Sequence, residues 1–370
     1  MAVAAPAALL HNNESLPLLG LGCSSGLRKP HVLSALKAGY RHLDTAQYYG
    51  WGYHEADVGD AVRESGLDRG GLSIQSKIHP NDLGFEATKR AFTVSLQRLH
   101  TDYVDSMLLH KTRCWEGACD RVPEGTWQDS WRALEDIYDE GKTRAIGICD
   151  VNDAILDELL AQRVKPHIIQ NWMDPFQQDK HIRERCKQEG IQYQAYSTLG
   201  PQWVHFRGYK ENPVLTNPTL LRIAQTHHRE VAQVVLNWAV RHQVAVIPAS
   251  KNPKRQISNL NSFDFELSHE DMKAIDDLDG TLQPTRAKDP RSVHATWRNR
   301  AAALLNIFWV EESGKEVDVG ELVPGGSTKM DTWDGHTFRF RRADGSLVAE
   351  HPIRSTPSQR VVIDVGREDL

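Results

Sequence analysis

The strongest constraint on this chain is an alternation that runs through its first three quarters. Apolar runs of strand length alternate with amphipathic stretches of helix length, about eight times over. The runs are Leu16–Cys23, Tyr40–Asp44, Leu72–Ser76, Val104–Leu109, Ala145–Cys149, His167–Gln170, Ile191–Tyr196 and Val244–Ile247. Between them lie helical patterns such as PHVLSALKAG, EATKRAFTVSLQRLH and WQDSWRALEDIYDEG, with Gly39, Gly141 and Gly190 placed where helices should stop. Continuous apolar strands that alternate with helices must be covered on both faces, which points to an α/β fold with a closed parallel (β/α)8 barrel.

The rhythm stops near Asp279. The segment GTLQPTRAKDPRSVH reads as a linker, and from about Leu304 short alternating runs separated by Ser-Gly, Pro-Gly and Asp-Gly signals read as hairpins of a small all-β sandwich. The expected division is a barrel over residues 1–281, a linker over 282–302 and a β domain over 303–370.

A barrel displays its chemistry at the C-terminal ends of its strands. Asp44, Lys77 and His110 each end an apolar run, and Tyr49 lies just beyond the first of them. Reducing a carbonyl by hydride leaves an alkoxide that must be protonated. A phenol of pKa about 10 is a poor acid near neutrality unless a nearby cation favours phenolate. Lys77 would supply that charge, Asp44 would fix the ammonium, and His110 would hold the carbonyl oxygen. The set needs no metal, and Cys114 and Cys119 after His110 lack a usual zinc spacing.

A net charge of -5 with no long basic run gives no reason to expect nucleic-acid binding. Neither a signal peptide nor a membrane span is expected from the opening residues. Five scattered cysteines suit reduced thiols in a cytoplasmic protein. GLGCSSG imitates a dinucleotide-binding fingerprint, but Ser25 stands where the third glycine belongs and Gly26 comes one place late. It reads instead as a turn at the barrel mouth.

LPLLGLG, GYRHLDTAQYY, SLQRLHTDYVDSMLLH, YSTLG, VIPAS and NLNSFDFELSHEDM, over about residues 9–278, resemble the aldo-keto reductase family. The resemblance implies NADPH-dependent carbonyl reduction, with Tyr49 as proton donor, Asp44 and Lys77 as its partners and His110 as substrate orienter. It also implies cofactor positions: Gln170 for the carboxamide, Tyr196 under the nicotinamide, Ser197 and Leu199 near the pyrophosphate, and Ser250, Arg255 and Asn259 at the adenosine end. The usual Ser-Asn pair is here Cys149-Asp150, and a frequent phosphate-binding lysine is replaced by Ala249 with Lys251 nearby. Arg255 favours NADP, with NADH also possible, because a guanidinium matches a phosphate in bidentate fashion. Lys111 follows His110 where many relatives carry a tryptophan, so Lys111 and Trp51 are the expected substrate contacts. Trp115 or Trp203 could also rebuild the apolar wall.

LLNIFWVEESGKEVDVGELVPGGSTKMDTWDGHTFRF, within about residues 303–351, resembles the β domain of the von Hippel–Lindau tumour-suppressor family. That resemblance implies a hydroxyproline-peptide pocket with Trp309 and His336 kept. Val319, Thr332 and Phe338 replace its tyrosine, serine and second tryptophan. An alternative expectation is therefore a catalytically weak cofactor sensor, or an adaptor that acts through a peptide or protein partner of this domain.

Overall fold

The computed structural model describes residues 6–47, 52–114, 119, 121–283, 292–310, 314–333, 336–353 and 360–365. The chain forms two compact units, a larger one ending at Thr285 and a smaller one from Arg286 onward.

In the larger unit, β1 (Ala7–Leu9) and β2 (Ser15–Pro17) pair antiparallel as a hairpin. The first apolar run is thus two elements rather than one strand. Pro17, which has no N–H to give a ladder, ends the hairpin, and the chain then enters the barrel. The barrel strands are β3 (Leu21–Gly22), β4 (His42–Asp44), β5 (Ser73–Ile78), β6 (Ser106–Leu109), β7 (Ile146–Cys149), β8 (Ile168–Trp172), β9 (Gln192–Tyr196) and β10 (Ala245–Val246). Among the described residues they form an eight-stranded sheet in sequence order, every neighbouring pair parallel. The ends meet: Gly20 N–H donates to the Val246 carbonyl at 2.8 Å and Val246 N–H to that of Leu18 at 2.8 Å. A Cβ on Gly20 would lie 2.2 Å from the His42 ring, and one on Gly22 would lie 2.5 Å from the Ile247 carbonyl oxygen. Those glycines serve close strand packing, not a phosphate loop.

The helices cover the barrel with apolar stripes. Helix Trp127–Asp139 starts from a Thr126–Asp129 capping box and buries Trp131, Leu134 and Ile137. Period two inside a strand then sorts its side chains. In β5, Gln75 and Lys77 reach Asp44 within the barrel, whereas Ser76 points the other way and donates to Glu55 on helix Glu55–Ser65.

The smaller unit contains two sheets, one of β11 (Ser292–Asn299), β14 (Ser327–Trp333) and β17 (Arg360–Val365), the other of β12 (Leu305–Val310), β13 (Glu316–Leu322), β15 (Thr337–Arg341) and β16 (Leu347–Pro352). Its core holds Ala295, Trp297, Leu305, Ile307, Leu322, Phe338, Phe340, Ile353 and Val365. The whole of β11 falls inside the stretch expected to be linker. Ala295 and Trp297 alternate with polar neighbours, and that two-residue inward pattern outweighs the Pro- and Arg-rich sequence before it.

Candidate active site

Strand register brings the predicted polar ends together. Asp44 faces Gln75 across β4 and β5, and Lys77 faces Leu108 on β6, two residues before His110. Lys77 and Asp44 are both fully buried. The ammonium donates to both carboxylate oxygens at 2.7 Å and to the Thr45 carbonyl at 3.0 Å. Burial alone would lower the Lys77 pKa, but the Asp44 carboxylate overrides it and holds the group above its ordinary value. His110 is displaced the opposite way. Burial, then the charges of Lys77 and Lys111, keep its pKa well below the usual imidazole value, so the ring is neutral and can donate one hydrogen bond.

Tyr49 and Trp51 lie outside the described residues. The tyrosine that meets this cluster among those described is Tyr53, which the sequence reading passed over. Lys77 Nζ lies 5.2 Å from the Tyr53 ring centroid, and the Tyr53 and His110 rings meet edge-on at 5.7 Å. Burial pushes the phenol up to about 12, while Lys77 pulls it back. A signal was available: Tyr53 stands two residues before Glu55, the buried first residue of a helix packed behind the site.

Each of the expected cofactor positions falls among the described residues. Gln170 is buried, its Nε2 donating to Asp44 Oδ1 at 3.2 Å and to Gln194 Oε1 at 2.7 Å, with Cys149 Sγ 3.6 Å from its Oε1. Burial raises the Cys149 thiol to about 12, so it is protonated. Tyr196 donates its hydroxyl to Asp150 Oδ1 at 2.8 Å, and Lys111 forms an ion pair with Asp150 Oδ2. Lys111 thus spends its charge on Asp150. Ser197 has a left-handed backbone (φ 58) and accepts from Gln202, and the Leu199 carbonyl accepts from Asn212. Ser250 accepts from the Asn252 N–H at 3.1 Å, and helix Pro253–Leu260 carries exposed Arg255 and buried Asn259. Lys251 is exposed beside Gly26. Among the described residues neither Lys251 nor Arg255 has a carboxylate partner. Of the tryptophans proposed as a wall, Trp203 is buried and donates with Trp172 to Asp174, and Trp115 lies outside the described residues.

One expectation is overturned. Cys114 and Cys119 form a disulfide, so only Cys23, Cys149 and Cys186 are free thiols, all of them buried. Scatter along the whole sequence drew attention away from two cysteines only five residues apart, whose Cα atoms come within 5.7 Å. Two further residues also escaped the sequence reading. Gln75 and Gln194 are buried inside the barrel and bond to each other at 2.6 Å.

Residues 28–280 match the model of the aldo/keto reductase family. The chain is 39% identical over 274 residues to glyoxal reductase of Bacillus subtilis (strain 168), covering 73% of this chain and 91% of that one. It is 36% identical over 302 residues to morphine 6-dehydrogenase of Pseudomonas putida, covering 79% and 97%. Among solved structures, a Brucella melitensis aldo/keto reductase superposes with a TM-score of 0.65 at 33% identity, covering 74% of this chain and all of that one. A Bombyx mori aldo-keto reductase in complex with NADP gives 0.69 at 27% identity, covering 78% and 97%.

Proposed function

We propose a function from one premise: the chain belongs to the aldo/keto reductase family. It reduces an aldehyde or ketone to the alcohol with NADPH, and Tyr53 gives the proton. The observation that carries this reading is the buried Lys77–Asp44 pair with the Tyr53 ring beside the ammonium and His110 against its edge.

NADPH, when bound, supplies the hydride. The alkoxide that develops on the substrate oxygen is met from two sides. Neutral His110 donates a hydrogen bond that orients the carbonyl, and Tyr53 O–H transfers its proton as the charge forms. Lys77 stabilises the phenolate left behind, and Asp44 keeps Lys77 charged. Residues fit for the cofactor are at hand. Lys251 and Arg255 are exposed cations suited to a 2′-phosphate, and Tyr196, tethered through Asp150 to Lys111, offers a fixed ring face for stacking. Ser197, Leu199, Ser250 and Asn259 complete the nucleotide's path. The Gln170 nitrogen is committed to Asp44 and Gln194, so its Oε1, beside Cys149, is the atom left to accept from a carboxamide.

The deciding experiment compares Tyr53→Phe and Tyr49→Phe in NADPH oxidation with a panel of aldehydes and ketones. Tyr53→Phe should cut turnover by about two to four orders of magnitude with NADPH binding intact. Wild-type turnover in Tyr53→Phe, with the loss in Tyr49→Phe instead, moves the donor to Tyr49.

A second reading concerns the smaller unit alone, as a peptide-binding domain. Trp309 and His336 pack their rings at 5.2 Å, and Thr332 Oγ1 lies 3.0 Å from His336 Nδ1, a concentration of polar and aromatic groups beside the apolar core. Fluorescence polarisation with matched proline and hydroxyproline peptides tests it, and equal or absent binding removes the reading.

A further inference from the structure

The barrel floor beneath Asp44 is made of amides, and their hydrogen-bond directions are fixed. Asp44 Oδ1 accepts from Lys77, Gln75 and Gln170. Gln75 Nε2 has two hydrogens and spends both, one on Asp44 and one on Gln194 Oε1. Gln170 Nε2 is divided in the same way. Ser106 donates to Gln75 Oε1 at 2.9 Å, and Gln194 Nε2 meets His42 Nε2 at 3.0 Å, while His42 Nδ1 faces Ser73 at 3.0 Å. Turning the Gln75 amide over would set its oxygen against both the carboxylate and the Gln194 carbonyl. One orientation satisfies the set, and it aims two amide nitrogens at one carboxylate oxygen.

We propose that Gln75, held by Ser106 and Gln194, is a positioning residue for carbonyl reduction: it keeps the Asp44 carboxylate ionised against Lys77, so that the ammonium beside Tyr53 stays charged. The proposal rests on the reading of Tyr53 as proton donor. A carboxylate and an ammonium with no water around them can relax to a neutral acid and amine by moving one proton. That exchange would remove the positive charge on which the phenol depends. Donors to Asp44 oppose it, because a hydrogen bond to the charged form favours that form. Around the pair stand Tyr53, Cys23, Cys149, His42 and His110, with Lys111 and Asp150 paired further along the mouth. Burial first, in each case, holds both thiols up and both imidazoles down. Near neutrality, therefore, none of these five takes over the role of Lys77.

The test is the pH dependence of kcat in wild type, Gln75→Met and Ser106→Ala, measured as aldehyde reduction and as alcohol oxidation. Without the Gln75 amide, the charged Lys77–Asp44 pair loses a donor, and Tyr53 becomes a weaker acid. The alkaline limb of reduction, and the matching rise of oxidation, should move up by about one pH unit, the order expected for one lost bond to a charge. Turnover at pH 7 should fall about tenfold, with NADPH binding by fluorescence quenching unchanged. Ser106→Ala keeps the amide but frees it to turn. It should shift the limb less in the same direction, and it serves if Gln75→Met does not fold. Limbs that stay in place, or move down, overturn the proposal whatever happens to the rate, since lost packing alone lowers rate and stability without moving a limb. Tyr53→Phe separates the two levels. If it turns over like wild type, the donor assignment fails and this proposal with it; if it is inactive while the limbs stay put, only the role of Gln75 fails.

Discussion

The two units of this chain handle charge in opposite ways. The larger one takes Lys77, Asp44 and three glutamines inside a ring of strands, each with its partners arranged around it. The smaller one fills its interior with Trp297, Phe338 and Phe340, whose ring centroids lie 4.9 to 5.1 Å from that of Trp297, and keeps its ion pairs outside. There Glu316 accepts from Arg339 and Arg341, and Arg339 reaches Glu350. Burying a charge costs stability that an apolar side chain of similar volume would supply, so a fold that does it at strand ends has a chemical use for that charge. Exposed pairs carry no such implication.

The difference should break most sharply at Lys77. Lys77→Met leaves Asp44 buried without its cation, and we expect turnover to fall by about two to four orders of magnitude and stability by about 3–5 kcal/mol. A variant that melts and turns over like wild type would make the buried pair mere filling. Trp297→Ala should also cost about 3–5 kcal/mol by opening a cavity, but only in the smaller unit. Calorimetry should then show one early transition while carbonyl reduction persists, and loss of both together would deny the units their independence. Thiol titration sharpens the comparison within the barrel. Native protein should expose almost no reactive thiol; unfolding alone should release three, and unfolding with reductant five. Five without reductant would remove the disulfide.

The smallest effect belongs to the half-buried surface network around Glu316. Hydrogen bonds from Arg341, then Arg339, hold the Glu316 carboxyl at about 2, below its ordinary 4.5. A depressed folded pKa gives stability that is complete above about pH 4.5 and fades as pH falls toward 2. Glu316→Gln should therefore flatten the acid side of the smaller unit's melting profile slightly and leave the neutral Tm within a few degrees. A large loss at pH 7 would contradict the view that exposed pairs contribute little.

Much of this was legible in the sequence. Eight apolar runs announced the barrel, and Asp44, Lys77 and His110 could be picked out because each is a polar residue ending such a run. Tyr53 was harder to read, its one signal being Glu55 two residues on. Two earlier tyrosines, Tyr48 and Tyr49, stand nearer to Asp44 in the sequence, and periodicity does not rank the three. Gln75 and Gln194 were hidden for another reason. Alternating polar residues in a strand ordinarily mean a solvent face, and only ring closure turns that face into an interior. β11 was missed because apolar Ala295 and Trp297 alone make a weak pattern beside a Pro-rich stretch.

The amide floor also has a bearing on proton traffic. A chain of waters or hydroxyls can pass a proton along, because each member both gives and receives one. A carboxamide nitrogen only gives, and here the nitrogens of Gln75 and Gln170 both point toward Asp44. On the reading proposed above, a proton given up by Tyr53 is therefore not replaced from below through these glutamines. On that reading it returns from the solvent side, the barrel interior acts as insulation, and the acid is recharged from outside it.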